Sequence, residues 1–120
     1  MPADQILSLA QLCIKTGRYA KGDALLPSIQ KEQAKCVLLS DGCGANRAKK
    51  IQDKCAFYHI ALIQLPAWQF DAISSKVNGA VAILDPGFAN GIIKAALPRQ
   101  KDGEIELFNL PEAANPKTSQ

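Results

Sequence analysis

KCVLLSDGCGANRAKKIQDKCAFYHIALIQL, residues 35–65, passes from an apolar run through a turn with two glycines into a basic segment, then back to an apolar run. Residues 35–40 are apolar and too short for a helix, which predicts a buried strand. From Ala45 to Tyr58, the residues Ala48, Ile51, Cys55 and Tyr58 recur at intervals of three and four, the spacing that lines one side of a helix. Residues 60–65 predict a second strand. Strand, helix and strand joined by short connections form the repeating unit of an α/β protein.

The flanking sequence extends this pattern. Asp4 is placed to cap a helix from Gln5 to Lys15, with Ile6, Leu9 and Cys13 on one face and Gly17 ending it. Arg18 to Lys21 reads as a short extended piece. Gly22-Asp23 is a turn and cap signal for a helix running through Ile29 to Gln33. Pro27 then falls just past the first turn, so this helix either starts later or is distorted there. Pro66 opens a helix running to about Ser74, residues 79–84 predict a third buried strand, and Asp85-Pro86 caps a helix through Leu97 that Gly91 weakens. These elements predict a three-layer α-β-α sandwich with a small mixed sheet. One domain is expected over residues 1–97, with Pro98 ending the body. Residues 98–120 are expected to be a flexible tail containing one plausible strand, GEIELFNL, at 103–110.

The composition suits a globular chain: 48% of the 120 residues are hydrophobic and 21% are charged. No apolar run approaches the ~20 residues needed to span a bilayer, and no positive region precedes the first apolar segment, so a cytosolic location is expected. The net charge of +3 is unevenly spread: residues 1–60 hold nine Lys or Arg against five Asp or Glu. A localised basic surface of this size suits a compact anionic partner such as a folded RNA rather than a long duplex. The four cysteines, Cys13, Cys36, Cys43 and Cys55, lack the paired spacing of a metal site, and His59 is the only histidine. They read as reduced, mostly core thiols, and no metal is expected.

Gly42-x-Gly44 invites comparison with a dinucleotide loop. Such a loop needs a third glycine, where this chain has Arg47, and an acidic residue after the next strand, where it has Leu65-Pro66. A plain turn, with Asp41 capping or bending it, is the better reading. Arg47, Lys50 and Lys54 lie three and four residues apart, one line of cations beside the apolar stripe. Lys49 and Asp53 form an ordinary surface pair on the same helix. Cys55 and His59 are one turn apart, but nothing nearby supplies an orienting group or oxyanion donors, so Cys55 reads as core. Trp68 and Phe70 read as packing residues.

GRYAKGDAL, AKCVLLSDGCGANRAKKIQDKCAFYHI and FDAISSKVNGAVAILDPGFANGI together resemble the bacterial YlxQ branch of the kink-turn RNA-binding superfamily typified by ribosomal protein L-seven-Ae. The resemblance covers residues 6 to about 97. It implies an α-β-α sandwich that binds a sharply bent RNA internal loop, with Lys21-Gly22-Asp23-Ala24 at the segment that meets sheared G·A pairs. It also implies that Ser74-Ser75-Lys76-Val77-Asn78 matches the loop that covers a flipped-out base. Asp23 and Ala24 stand where relatives place Asn and Glu, and Ala24 has no side-chain acceptor for a guanine edge. Arg18, Lys21, Arg47, Lys50 and Lys76 are expected to line the adjoining phosphate track. The expected function is binding of structured RNA, ribosomal RNA included, by a monomer that needs no cofactor and performs no catalysis. The rival expectation is a protein-interaction module that has lost RNA binding.

Overall fold

A computed structural model describes residues 5–73, 77, 79–101 and 105–109. The chain runs through α1 (Gln5–Thr16), β1 (Tyr19–Ala20), a 3₁₀ turn at Gly22–Ala24, α2 (Leu25–Gln30), β2 (Cys36–Ser40) and α3 (Ala45–Tyr58). It continues through β3 (Ala61–Leu65), α4 (Ala67–Asp71), β4 (Ala80–Ile83), α5 (Pro86–Lys101) and β5 (Glu106–Phe108). The strands form one sheet in the order β1-β4-β2-β3-β5. The pair β2 and β3 is parallel and the other pairs are antiparallel, so the sheet is mixed as expected.

The two-residue period of the strands builds two cores from one sheet. Cys36, Leu38, Ala61, Ile63, Leu65, Val81 and Ile83 face α1, α4 and α5, where Ile6, Cys13, Phe70, Ile92 and Ala96 meet them. Val37, Leu39, Leu62, Ala80 and Ala82 face the opposite side and pack on Leu25, Ile29, Ile51 and Cys55 of α2 and α3. Both faces of the central strands are therefore covered, which is why their sequences are continuously apolar. The result is the three-layer α-β-α sandwich.

Several expectations are corrected. The helix after Gly22 starts at Leu25 and ends at Gln30, not Gln33. Pro27 is its third residue, where the missing amide has no intrahelical partner to lose. Asp23 does not cap it; Ala24 holds the cap position without a side-chain hydrogen bond. The helix after Pro66 stops at Asp71, short of Ser74.

Pro98 does not end the body either. It sits inside α5, which continues to Lys101, and the folded body then reaches Phe108 rather than stopping at residue 97. A proline removes one amide from the helical ladder, and here that loss falls in the last turn. The strand read at 103–110 exists as β5 and pairs antiparallel with β3, placing Leu107 beside Ile63. Ile105 and Leu107 are buried. The tail expected beyond it lies outside the described residues.

Two caps come from aspartates. Asp85 accepts hydrogen bonds from the Gly87 and Phe88 amides at 2.8 and 3.1 Å, starting α5 as the sequence implied. Asp41 acts across the chain instead of bending its own turn: its Oδ1 accepts from the Ala67 amide at 2.9 Å and so caps α4. Gly91, read as a weak point of α5, is where α1 approaches, since a β-carbon there would lie 3.0 Å from Leu9 Cδ1.

Candidate nucleic-acid interface

Four strand ends meet at one edge of the sheet. There β1 runs out at Ala20, β2 at Ser40 and β3 at Leu65, while antiparallel β4 enters from Gly79. The segments leaving this edge carry Lys21, Arg47 and Lys50, three of the cations that the sequence singled out. Between the Gly22–Ala24 turn with α2 on one side and the first turns of α3 on the other lies a cleft of about 1050 Å³. Lys21, Arg47 and Lys50 line it together with Gly22, Asp23 and Asn46. Leu25, Leu26, Pro27 and Ile51 form its apolar wall.

The periodicity of α3 explains which cations enter. Arg47, Lys50 and Ile51 fall on adjoining lines of the helix, so one side holds both the buried anchor and the basic rim. Lys49 is turned away and pairs with Asp53 at 3.5 Å, with both side chains largely exposed. That pair contributes little to stability. Arg47 is half-buried and rests against the start of β4: a β-carbon at Gly79 would lie 2.9 Å from Arg47 Nη1 and 3.3 Å from Cys43 Sγ. Gly79 has φ +76°, a left-handed backbone that favours glycine, and the space above it is taken by the Arg47 guanidinium. Sequence reasoning overlooked Gly79, whose signal was the Asn-Gly step before a strand. It also overlooked Leu26 as part of the cleft.

The remaining expected residues fall differently. Ala24 is exposed and closes the 3₁₀ turn beside the cleft, where its amide donates to the Lys21 carbonyl at 3.1 Å. Arg18 is not in the cleft. Its Nη1 meets Asp85 Oδ2 at 3.2 Å and its carbonyl accepts from the Leu84 amide, at the opposite end of β1 from Lys21. A pairing across 67 residues holds it there. Val77 is 3% exposed and belongs to the core on the α1, α4 and α5 side, so its side chain is packing rather than surface. Lys76 lies outside the described residues, as do Ser74, Ser75 and Asn78.

The glycine turn has structural work. The Gly42 amide donates to Ser40 Oγ at 3.0 Å, and a β-carbon at Gly42 would meet Ala67 Cβ at 3.1 Å. This close approach of loop to α4 accounts for Gly42 without a phosphate. Burial pushes the thiols of Cys13 and Cys36 up, and in Cys13 the nearby Asp85 carboxylate adds to it. Burial likewise pushes Cys55 up to about 12. A thiol held protonated at neutral pH is no nucleophile. His59 ends α3 in the left-handed conformation, φ 57°, and its amide donates to the Ala56 carbonyl. Phe70 is fully buried as expected, but Trp68 is 72% exposed, so the packing reading of Trp68 is corrected. Among the described residues no cluster of His, Cys, Asp and Glu could hold a metal ion, and no helix is long and apolar enough to cross a membrane.

No family model matches the chain. It is 34% identical over 73 residues to the RNA-binding protein YlxQ of Bacillus subtilis (strain 168), covering 59% of this chain and 73% of that protein. It is 27% identical over 85 residues to the RNA-binding protein YlxQ of Enterococcus faecium, covering 69% of this chain and 82% of that protein. A solved structure of a protein of unknown function from Bacillus halodurans C superposes with a TM-score of 0.70 at 24% identity. The match covers 78% of this chain and 97% of that one, and it shares the fold.

Proposed function

The chain belongs to the YlxQ family, and from that premise we propose that its basic cleft docks a structured RNA, preferring a kink-turn or similarly bent internal loop. The observation that carries this reading is the meeting of Lys21, Arg47 and Lys50, from two separate segments, around one cleft at a single edge of the sheet. Phosphates brought close by a sharp bend present the dense, compact negative charge that three neighbouring cations can neutralise. The apolar wall of Leu26 and Pro27 suits the face of an unpaired base, and Asp23 offers acceptors to base edges at the mouth.

The protein acts by binding, as a monomer in the cytoplasm, without catalysis, and its RNA belongs to the ribosome or to another folded assembly. Three roles follow for its residues. Lys21 and Lys50 hold phosphates and set register, Arg47 does so from a fixed position against Gly79, and the Gly22–Ala24 turn approaches base edges. With Ala24 lacking an acceptor, recognition rests on shape more than on hydrogen bonds to bases.

Competition in a gel-shift assay tests the reading. A labelled kink-turn RNA bound by the full chain should be displaced at least tenfold more readily by unlabelled kink-turn than by a straight duplex of equal length. Equal displacement by the two would remove the preference for a bend. Absence of binding to either RNA would leave the protein-interaction reading in its place.

A further inference from the structure

The edge of the sheet that opens into the cleft does not stop at it. Across the strand order, Lys21 follows β1, Gly79 precedes β4, Asp41 follows β2 and Pro66 follows β3, so these four residues form a row along one rim. Three strand spacings separate its ends, which makes the row ~15 Å long. Contacts tie it together. Arg47 and Cys43 lie against Gly79, Gly42 lies against Ala67, and Asp41 caps Ala67. The next residue is Trp68, 72% exposed on the first turn of α4, while its neighbours Gln69 and Phe70 are buried. It is the sole tryptophan of the chain. The other highly exposed aromatic, Phe57, is near the end of α3, which leads into the opposite end of β3.

A large ring left in solvent loses the burial that would stabilise it in a core, and α4 is too short to need it for packing. On the same rim of the sheet as a cleft that draws a polyanion, though across the sheet from it on α4, the same ring is a surface for a nucleobase. Bases expose their faces wherever a strand leaves a duplex, and an indole ring accepts any of them without reading its edge.

We propose that Trp68 is a base-stacking residue, taking the face of an unpaired nucleotide of the same RNA two or three nucleotides along the strand from the phosphates held by Lys21, Arg47 and Lys50. This rests on the RNA-docking role of the cleft. The basic cleft then supplies the salt-dependent part of affinity and Trp68 a salt-independent part. The ligand class is accordingly narrowed to RNA whose bend is followed by at least one unpaired, sequence-tolerant nucleotide.

The lone tryptophan makes the test direct. Titration of the full chain with a kink-turn RNA should quench Trp68 fluorescence and protect the ring from acrylamide. Trp68→Ala should weaken binding about tenfold with an unchanged salt slope, and Trp68→Phe should keep most of the affinity. Pairing the unpaired nucleotides with a complementary strand should remove both the quench and the effect of Trp68→Ala. If the RNA binds with its full salt dependence while the fluorescence and the Trp68→Ala affinity stay unchanged, the stacking role is wrong and the cleft reading stands. If no RNA binds at all, the cleft reading fails first.

Discussion

Replacing Lys21, Arg47 and Lys50 together by alanine is expected to lower affinity for a kink-turn RNA about 100-fold at roughly 0.15 M salt. The slope of log affinity against log salt should flatten by two to three units at the same time. Each phosphate neutralised by a side chain releases about 0.7 to 0.9 of a counterion, so losing three contacts removes about that many times three from the slope. The loss should shrink towards zero as salt rises to about 1 M, because there counterion release no longer drives association. Lys49→Ala supplies the internal control. It removes one positive charge, as Lys50→Ala alone does, from the same helix and one residue away, but from a side chain that faces Asp53 and not the cleft. Its effect should be a few-fold at most. Lys21 and Lys50 are exposed, so any fall in melting temperature of the triple variant should be matched by that of Arg47→Ala alone, whose side chain is half-buried. A loss from Lys49→Ala as large as that from Lys50→Ala alone would mean that the RNA responds to total charge rather than to the cleft.

Ending the chain after Leu97 is expected to cost about 3 to 6 kcal/mol of stability. The cut removes the last turn of α5 and all of β5, and with them Ile105 and Leu107, which are 4% and 9% exposed. Each buried side chain of that size contributes about 1.5 to 3 kcal/mol, and the ladder from β5 to β3 is lost as well. Against a total near 5 to 15 kcal/mol the loss is large, and the melting temperature should fall by roughly 10 °C or more. The cut also bares the edge of β3, so the shortened chain should associate with itself. A shortened chain that melts within about 3 °C of the parent would show that β5 contributes no stability.

The layers of the fold were legible because they follow local rules. Continuous apolar runs marked β2, β3 and β4 as covered on both faces, and the three-to-four spacing of Ala48, Ile51 and Cys55 marked α3. What the sequence hid were relations between distant segments. Pro98 looked like a terminus because proline opposes helix locally, yet contacts of α5 with α1 and the sheet carry the helix past it. Arg18 looked like part of the phosphate track because it precedes Lys21, but Asp85 holds it at the other end of β1. Asp41 looked like a turn residue and instead caps α4. Val77 was placed in a binding loop by resemblance alone, and burial of its side chain reassigns it to the core. Within the site, Lys21, Arg47 and Lys50 could be read as cations, but their meeting in one cleft depends on α2 packing beside α3 through Leu25 and Ile51, a contact with no local signature. The exposure of Trp68 was equally invisible, since an aromatic beside Phe70 reads as core until the helix is seen to end at Asp71.

Amide chemical-shift mapping of the full chain during titration with a kink-turn RNA tests the docking edge most directly. The largest shifts should gather at Lys21–Ala24, at Asn46–Lys50 and at Gly79, with those at Ala67–Gln69 next, while Lys94 of α5 and Phe57 of α3 stay still. Shifts centred on α1 and α5, or on the end of α3, would contradict the assignment of RNA binding to this edge of the sheet.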